Sequence, residues 1–365
     1  MALTRLIDLH AHFPMHTRFP PRFVQGPPPV GKEIEFWAAT HLLDFQKGEP
    51  RVSLANLLAG SPGGIGSVLN DPDDEFFRDA NPVPGAFENL LAQMDNVEAE
   101  VKGSVRVVRN PADLGQALDA GEKFLFHCVE GAFAFAGDPT NVDRLAARGA
   151  AYVVVAHLFF RGVATCNNAL PNVPDLVFKD LLNTHQDPSV GLTPLGRGIV
   201  DRLLQNRILV DITHSTELAQ QQIFDMARDH GNAPVISSHT GVRPTSDYPL
   251  NLSPAAIRRI AESNGVIGII LFPHWLRQRH QQFLGSEGID LVFRAIDSVH
   301  DILGNYDHIA IGSDLDGFIQ PIKECQNYSE TPQLVAAIQN KYGANGEKIL
   351  WRNALDVLQR GWKGV

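Results

Sequence analysis

Residues 193–214 read TPLGRGIVDRLLQNRILVDITH. Thr193–Asn206 spaces its apolar residues at helical intervals and carries Pro194 early, where a missing N–H costs nothing. The pattern then changes. Ile208–His214 (ILVDITH) is a short β-branched run that closes on a histidine. A helix feeding such a strand is the repeating unit of a parallel α/β sheet.

The same kind of run recurs along the chain. Arg5–His12 (RLIDLHAH), Lys123–Glu130 (KFLFHCVE), Ala150–His157 (AAYVVVAH), Pro234–His239 (PVISSH), Gly265–Phe272 (GVIGIILF) and His308–Asp314 (HIAIGSD) are nearly continuous apolar segments. Such segments are what parallel strands buried on both faces require. Helical spacing also marks Ser215–His230, Ser253–Ser263, 289–303 and 345–362. Seven strands are clear, and an eighth is expected around Gly64–Asn70 (GIGSVLN). The predicted fold is an α/β (β/α)8 TIM barrel. At 365 residues the chain suits one such domain over 1–365. Pro/Gly-rich stretches around 14–33 and 60–86 read as long loop insertions.

A barrel of this kind places its chemistry at the C-terminal ends of its strands. The residues found there are His10, His12, Glu130, His157, His214, His239 and Asp314. Imidazole and carboxylate are the ligands of catalytic Zn2+ sites. His10 and His12 are an i, i+2 pair, so on a strand they share one face. Glu130 ends an apolar strand, where an ionised carboxylate needs a partner or a metal. Its two oxygens can bridge two metal ions, and His214 with His239 can hold the second. Asp211 lies three residues before His214 and is expected to point elsewhere, in a supporting role. Asp314 suits a general base, with Asp316 its rival in the same motif. Arg243 can grip a substrate carboxylate in a bidentate pair. His157 can donate to an oxyanion or stand as an ordinary barrel-mouth histidine. His41, His185, His230, His280 and His300 lie in polar or helical stretches and are expected at the surface.

The formal charge of −10 comes without a Lys/Arg cluster, which argues against a nucleic-acid partner. The three cysteines, Cys128, Cys166 and Cys325, are odd in number and widely spaced, so free thiols are expected. No apolar run reaches membrane-spanning length, and the first residues lack a secretory h-region. A cytoplasmic protein without a membrane partner, open to homo-oligomer formation, is expected.

Several segments together resemble the membrane (renal-type) dipeptidases of the amidohydrolase superfamily. They are LIDLHAHFP (6–14), FHCVEGAFAF (126–135), GAAYVVVAHL (149–158), residues 191–215, APVISSHTGVRP (233–244), HIAIGSDLDGF (308–318) and EKILWRNALDVL (347–358). The resemblance implies a (β/α)8 barrel of the metallo-dependent hydrolase type and a binuclear zinc site. One ion would be held by His10, the residue at position 12 and Glu130, the other by Glu130, His214 and His239. It further implies that Asp314 transfers the proton, His157 contacts the scissile carbonyl oxygen, and Arg243 contacts the substrate's C-terminal carboxylate. A zinc-dependent dipeptidase using a metal-bridging hydroxide follows. One residue departs from the family pattern, which is His-x-Asp where this chain has His10-Ala11-His12. Neutral imidazole there leaves the metal one unit more positive and its bound water more acidic.

Three other readings stay open. The same site can serve N-acyl amino acids, other amides or lactones, with Phe272, His274 and Trp275 shaping the pocket alongside residues 14–110. A mononuclear deaminase would use Glu217, three residues after His214. A catalytically silent metal-binding scaffold is the last.

Overall fold

The computed structural model describes residues 5–12, 51–53, 57–58, 85–103, 105–157, 160–169, 175–177, 186–278, 288–315, 317, 319–326 and 330–365. Its strands are β1 (Arg5–Ile7), β2 (Arg51–Ser53), β3 (Leu57–Leu58), β4 (Arg106–Val107), β5 (Phe124–Leu125) and β6 (Cys128–Glu130). They continue with β7 (Tyr152–Val154), β8 (Leu209–Asp211), β9 (Val235–Thr240), β10 (Ile267–Ile269) and β11 (Ile309–Ile311). Every paired strand is parallel.

One sheet runs β1-β2-β5-β4 and the other β11-β10-β9-β8-β7-β6-β3. They meet twice. β5 and β6 are two pieces of the expected strand 123–130, and β1 is tied to β11 by parallel bridges at Asp8–Ile311 and Ala11–Leu315. The strands therefore follow one another round a ring. The expected strand at 64–70 lies outside the described residues; the position beside β1 is taken by β2.

Side-chain alternation sorts two cores. Val153 and Val155 pack outward with helix residues such as Ile199, Leu203, Ile223 and Ile257. Tyr152 and Val154 point the other way, into a cluster with Ile7, Phe124, Cys128, Leu209, Ile236 and Ala310. A cluster fed by strands from all round the ring is the barrel interior. Trp362 and the helix Asn353–Gly361 contribute Ala354, Val357 and Leu358 to it.

The outer helices match their sequence signals. Pro194–Gln205, Glu217–Asp229 and Pro254–Glu262 start behind Thr193, Thr216 and Ser253, whose side chains accept from backbone N–H groups of the first turn. Asp290–Leu303 is also helical. The region 345–362 is helical with a π-type segment at Lys348–Arg352. Among the described residues, no helix is long and apolar enough to cross a membrane.

One irregularity shapes the site. β9 carries an extra residue against β10, since Ile267 pairs with Ser237 and Ile269 with Thr240. The bulge re-aims the chain at Ser238 and His239. It brings the Ser238 carbonyl over two glycines: a Cβ on Gly268 would lie 1.8 Å from that oxygen, and one on Gly312 1.7 Å. Gly312→Ala should therefore destabilise the fold by about 1–3 kcal/mol. It should also lower metal uptake, because Ser238 and His239 must move. Urea denaturation and a metal titration check both.

Candidate metal centre

Seven side chains converge above the barrel interior, none more than 12% exposed. Glu130, the last residue of β6, is at their centre. Its Oε1 lies 3.1 Å from His214 Nε2, 3.4 Å from His239 Nε2 and 3.6 Å from His10 Nε2. Its Oε2 lies 3.4 Å from both His12 Nε2 and His157 Nε2. Asp314 Oδ1 is 2.9 Å from His12 Nε2 and 3.7 Å from His10 Nε2. The seven residues singled out at strand ends are thus brought together.

The backbone explains how. His157, His214 and Asp314 do not sit on strands; each is three residues past the end of one, β7, β8 and β11 respectively. His214 (φ 66°) and Asp314 (φ 59°) adopt left-handed conformations. A non-glycine residue held there is strained, and such strain concentrates at functional sites. His10 and His12 flank Ala11, which bridges to Leu315, and their rings meet edge to face at 5.1 Å. Asp8 fastens this corner by accepting from Ser313 N at 2.8 Å and from His10 N at 3.2 Å.

Charge is tightly controlled. Burial pushes His10 and His239 well below the usual imidazole range and takes His157 down to about 3. Burial also opposes the Glu130 carboxylate, but the surrounding imidazoles, His157 and His10 foremost, outweigh it and keep it ionised. Asp314 is raised to about 6 by burial, with the His12 contact opposing. Asp211 is raised to about 6 by burial against hydrogen bonds from Ser238 and Thr213. It points into that network, as expected of a supporting residue.

The donors fit a metal. Grouped by mutual reach within 4.8 Å, they form three overlapping sets: His10, His12 and Asp314; His10, Glu130 and His239; Glu130, His157 and His214. His10 Nε2 and His12 Nε2 are 3.3 Å apart, and His214 Nε2 and His239 Nε2 3.1 Å. Tetrahedral zinc with bonds of about 2.0–2.1 Å has ligand–ligand edges of about 3.3–3.4 Å. The triangle of Glu130 Oε1, His214 and His239 has edges of 3.1, 3.4 and 3.1 Å. Facing nitrogens of buried imidazoles otherwise have to share a proton.

Two of the groups behind this ring, Ser238 and Tyr152, were missed by sequence reasoning, whereas Trp275 was named as a pocket residue. Ser238 Oγ touches His10 Nδ1 at 2.9 Å and His239 Nδ1 at 3.0 Å. Tyr152, buried, places its hydroxyl 3.2 Å from His10 Nδ1 and donates to the Leu9 carbonyl. Trp275 stacks on His239 at 5.9 Å and meets His214 edge-on at 5.5 Å. The Ser-Ser-His triplet was the available sign for Ser238; Tyr152 looked like one more apolar strand residue.

Arg243 stands apart from the ring. It pairs with Glu217 and donates to the Pro249 carbonyl at 2.6 Å. Glu217, 59% exposed, is turned toward Arg243, which removes the feature that favoured a deaminase. His230 is at the surface, paired with Asp201 at 2.8 Å, and half-buried His300 stacks on Tyr306. Asp316, His41, His185 and His280 lie outside the described residues. Cys128, Cys166 and Cys325 are buried and none of them forms a disulfide, as expected.

The model of the membrane dipeptidase family, peptidase family M19, matches residues 4–361. The chain belongs to this family. It is a metal-dependent hydrolase of the dipeptidase kind, on the (β/α)8 scaffold. A metallopeptidase from Rhodobacter sphaeroides, solved with a phosphinate mimic of the dipeptide L-Ala-D-Ala, has a similar fold. Its TM-score is 0.75 at 20% identity, over 99% of this chain and 100% of that one. The dipeptidase verJ of Clonostachys rogersoniana is 22% identical over 97% of this chain and 82% of its own. An uncharacterised protein from the pqqA 5′ region of Klebsiella pneumoniae is 26% identical over 75% of this chain and 95% of its own.

Two outcomes follow. Ser238→Ala removes the partner of two ring nitrogens and should weaken metal binding about 10- to 100-fold while the fold persists; competition with a chelator measures it. The metal-free protein should also lose stability on acidification from about pH 7.5 to about pH 6. His10, His157 and His239 are neutral when folded and protonate more readily when unfolded, so their contribution is full above the ordinary imidazole value of about 6.5 and declines below it. The raised carboxyls Asp211 and Asp314 act oppositely, but only below about 6. Denaturation midpoints across this range read the sign.

Proposed function

We propose that the protein is a zinc dipeptidase with a binuclear centre, carried on one barrel domain that spans the chain. The observation that carries the reading is Glu130, whose one carboxylate contacts five imidazoles, three through Oε1 and two through Oε2. His10, His12 and Glu130 would hold one ion, and Glu130, His214 and His239 the other. Bound there, zinc would supply a Lewis acid and a water acidic enough to attack an amide at neutral pH.

The chain's own residues supply the rest. Asp314, with its carboxyl raised to about 6, is matched to accepting a proton near neutrality and returning it to the leaving amine. His157, neutral and 12% exposed, can donate to the oxygen of the scissile carbonyl as charge builds on it. Arg243 reaches for the substrate carboxylate at the rim. Trp275 walls the His214–His239 side and keeps water from it.

Metal analysis should give about two zinc ions per chain. A panel of dipeptides, including D-residue C-termini, should be turned over in preference to N-acyl amino acids, lactones and nucleosides. Preference for an N-acyl amino acid would move the substrate and keep the site. Asp314→Asn should cut kcat by about 10²- to 10⁴-fold with both metals retained. Arg243→Ala should raise KM for dipeptides with little change in kcat.

A further inference from the structure

Arg243 is already holding a carboxylate. Its Nη1 pairs with Glu217, its Nη2 donates to Pro249 O at 2.6 Å, and its Nε is buried without a hydrogen-bond partner among the described residues. Glu217 is 59% exposed on its side of the pair, whereas Arg243 is 29% exposed.

The two ends of this pair are anchored very differently. Arg243 rises from a loop fixed at many points. Its N–H donates to Leu252 O at 3.0 Å, and Val242 bridges Leu252. Asn251 accepts from Gly241 N at 3.1 Å and donates to Ser246 O at 3.0 Å and Trp275 O at 2.7 Å. Pro249 O also accepts from Asn167, which in turn donates to Ser215 O at 3.0 Å. The loops after β7, β8 and β9 are thus drawn together beneath the guanidinium. Glu217 is the first residue of the helix Glu217–Asp229, whose first turn is already capped by Thr216. Its carboxylate faces solvent and is the movable partner.

The pair also stands close to the metal centre along the chain. Glu217 is three residues past His214, and Arg243 is four past His239. We infer that Glu217 is an internal stand-in for the substrate's carboxylate: it occupies Arg243 until a substrate displaces it, and so sets the affinity for carboxylate-bearing substrates. This rests on the dipeptidase reading of Arg243. Binding becomes an exchange of one guanidinium–carboxylate pair for another. A ligand lacking the carboxylate has nothing to exchange and leaves the Glu217–Arg243 pair intact. Glu217 is a specificity residue that acts through Arg243.

The test compares wild type with Glu217→Gln in the zinc-loaded protein. Two probes are titrated by calorimetry: a phosphinate mimic of L-Ala-D-Ala and its C-terminal carboxamide. Glutamine keeps the size of the side chain and removes its charge. The exchange predicts that Glu217→Gln binds the carboxylate probe about twofold to fivefold tighter, the range expected of an exposed ion pair, and the carboxamide unchanged. In turnover, KM for L-Ala-D-Ala should fall with kcat unchanged. Glu217→Ala, melted alongside, should show the same selectivity if the fold is kept. Equal or weaker binding of the carboxylate probe by both variants overturns the exchange. If Arg243→Ala binds both probes like wild type, the carboxylate clamp itself is wrong. If wild type binds neither probe and turns over no dipeptide, the dipeptidase reading has failed first.

Discussion

The buried carboxylate of Glu130 is the constraint on which the rest of this structure depends. A lone ion in such a place would be far too costly to keep charged. Five imidazole nitrogens within 3.1–3.6 Å keep it ionised. Burial holds three of these imidazoles, His10, His157 and His239, well below their usual range, so they face the carboxylate without full positive charge. That combination of one anion among lone-pair donors is favourable to a divalent cation and poor for almost anything else. The strand geometry then serves a single purpose. It points His10 and His12 from beyond β1, His157 and His214 from beyond β7 and β8, and His239 from β9 at the same oxygen pair.

The supporting layer explains why the ring can be so tight. Ser238 reaches two of the histidines, and it is placed there by a bulge that only Gly268 and Gly312 leave room for. Asp8 does the equivalent work across the seam, clamping Ser313 beside Asp314 and the backbone of His10. The seam between β1 and β11 is therefore held by the same residues that align Asp314 with His10 and His12. Fold closure and site assembly share these contacts.

Much of this was legible in the sequence because barrel strands are short, apolar and end where the chemistry is. The runs 208–214 and 308–314 gave both a strand and its functional residue. What periodicity could not show is the three-residue offset that carries His157, His214 and Asp314 past their strands. A left-handed residue at His214 or Asp314 breaks no hydrophobic pattern. Ser238 and Tyr152 were hidden for a different reason: their roles come from contacts across the barrel, 228 and 142 residues from His10. Arg243 was readable as a rim cation, but not its pairing with Glu217, since that depends on how two loops fold over adjacent strands.

The departure at position 12 acquires its meaning from Asp314. His12 Nε2 lies 2.9 Å from Asp314 Oδ1; an aspartate at position 12 is too short to make that contact and would only add a second negative charge nearby. A like charge nearby would disfavour ionisation of Asp314. With imidazole there, the contact is attractive to the ionised form, and it works against the burial that raises the Asp314 carboxyl. The substitution thus removes negative charge from the metal side while easing ionisation of the residue assigned to take the proton. In the function proposed above, the first change would make a water on the metal more acidic and the second would keep Asp314 ionised to accept a proton. His12 is therefore compatible with hydrolysis for a reason that the HxH spacing alone could not supply.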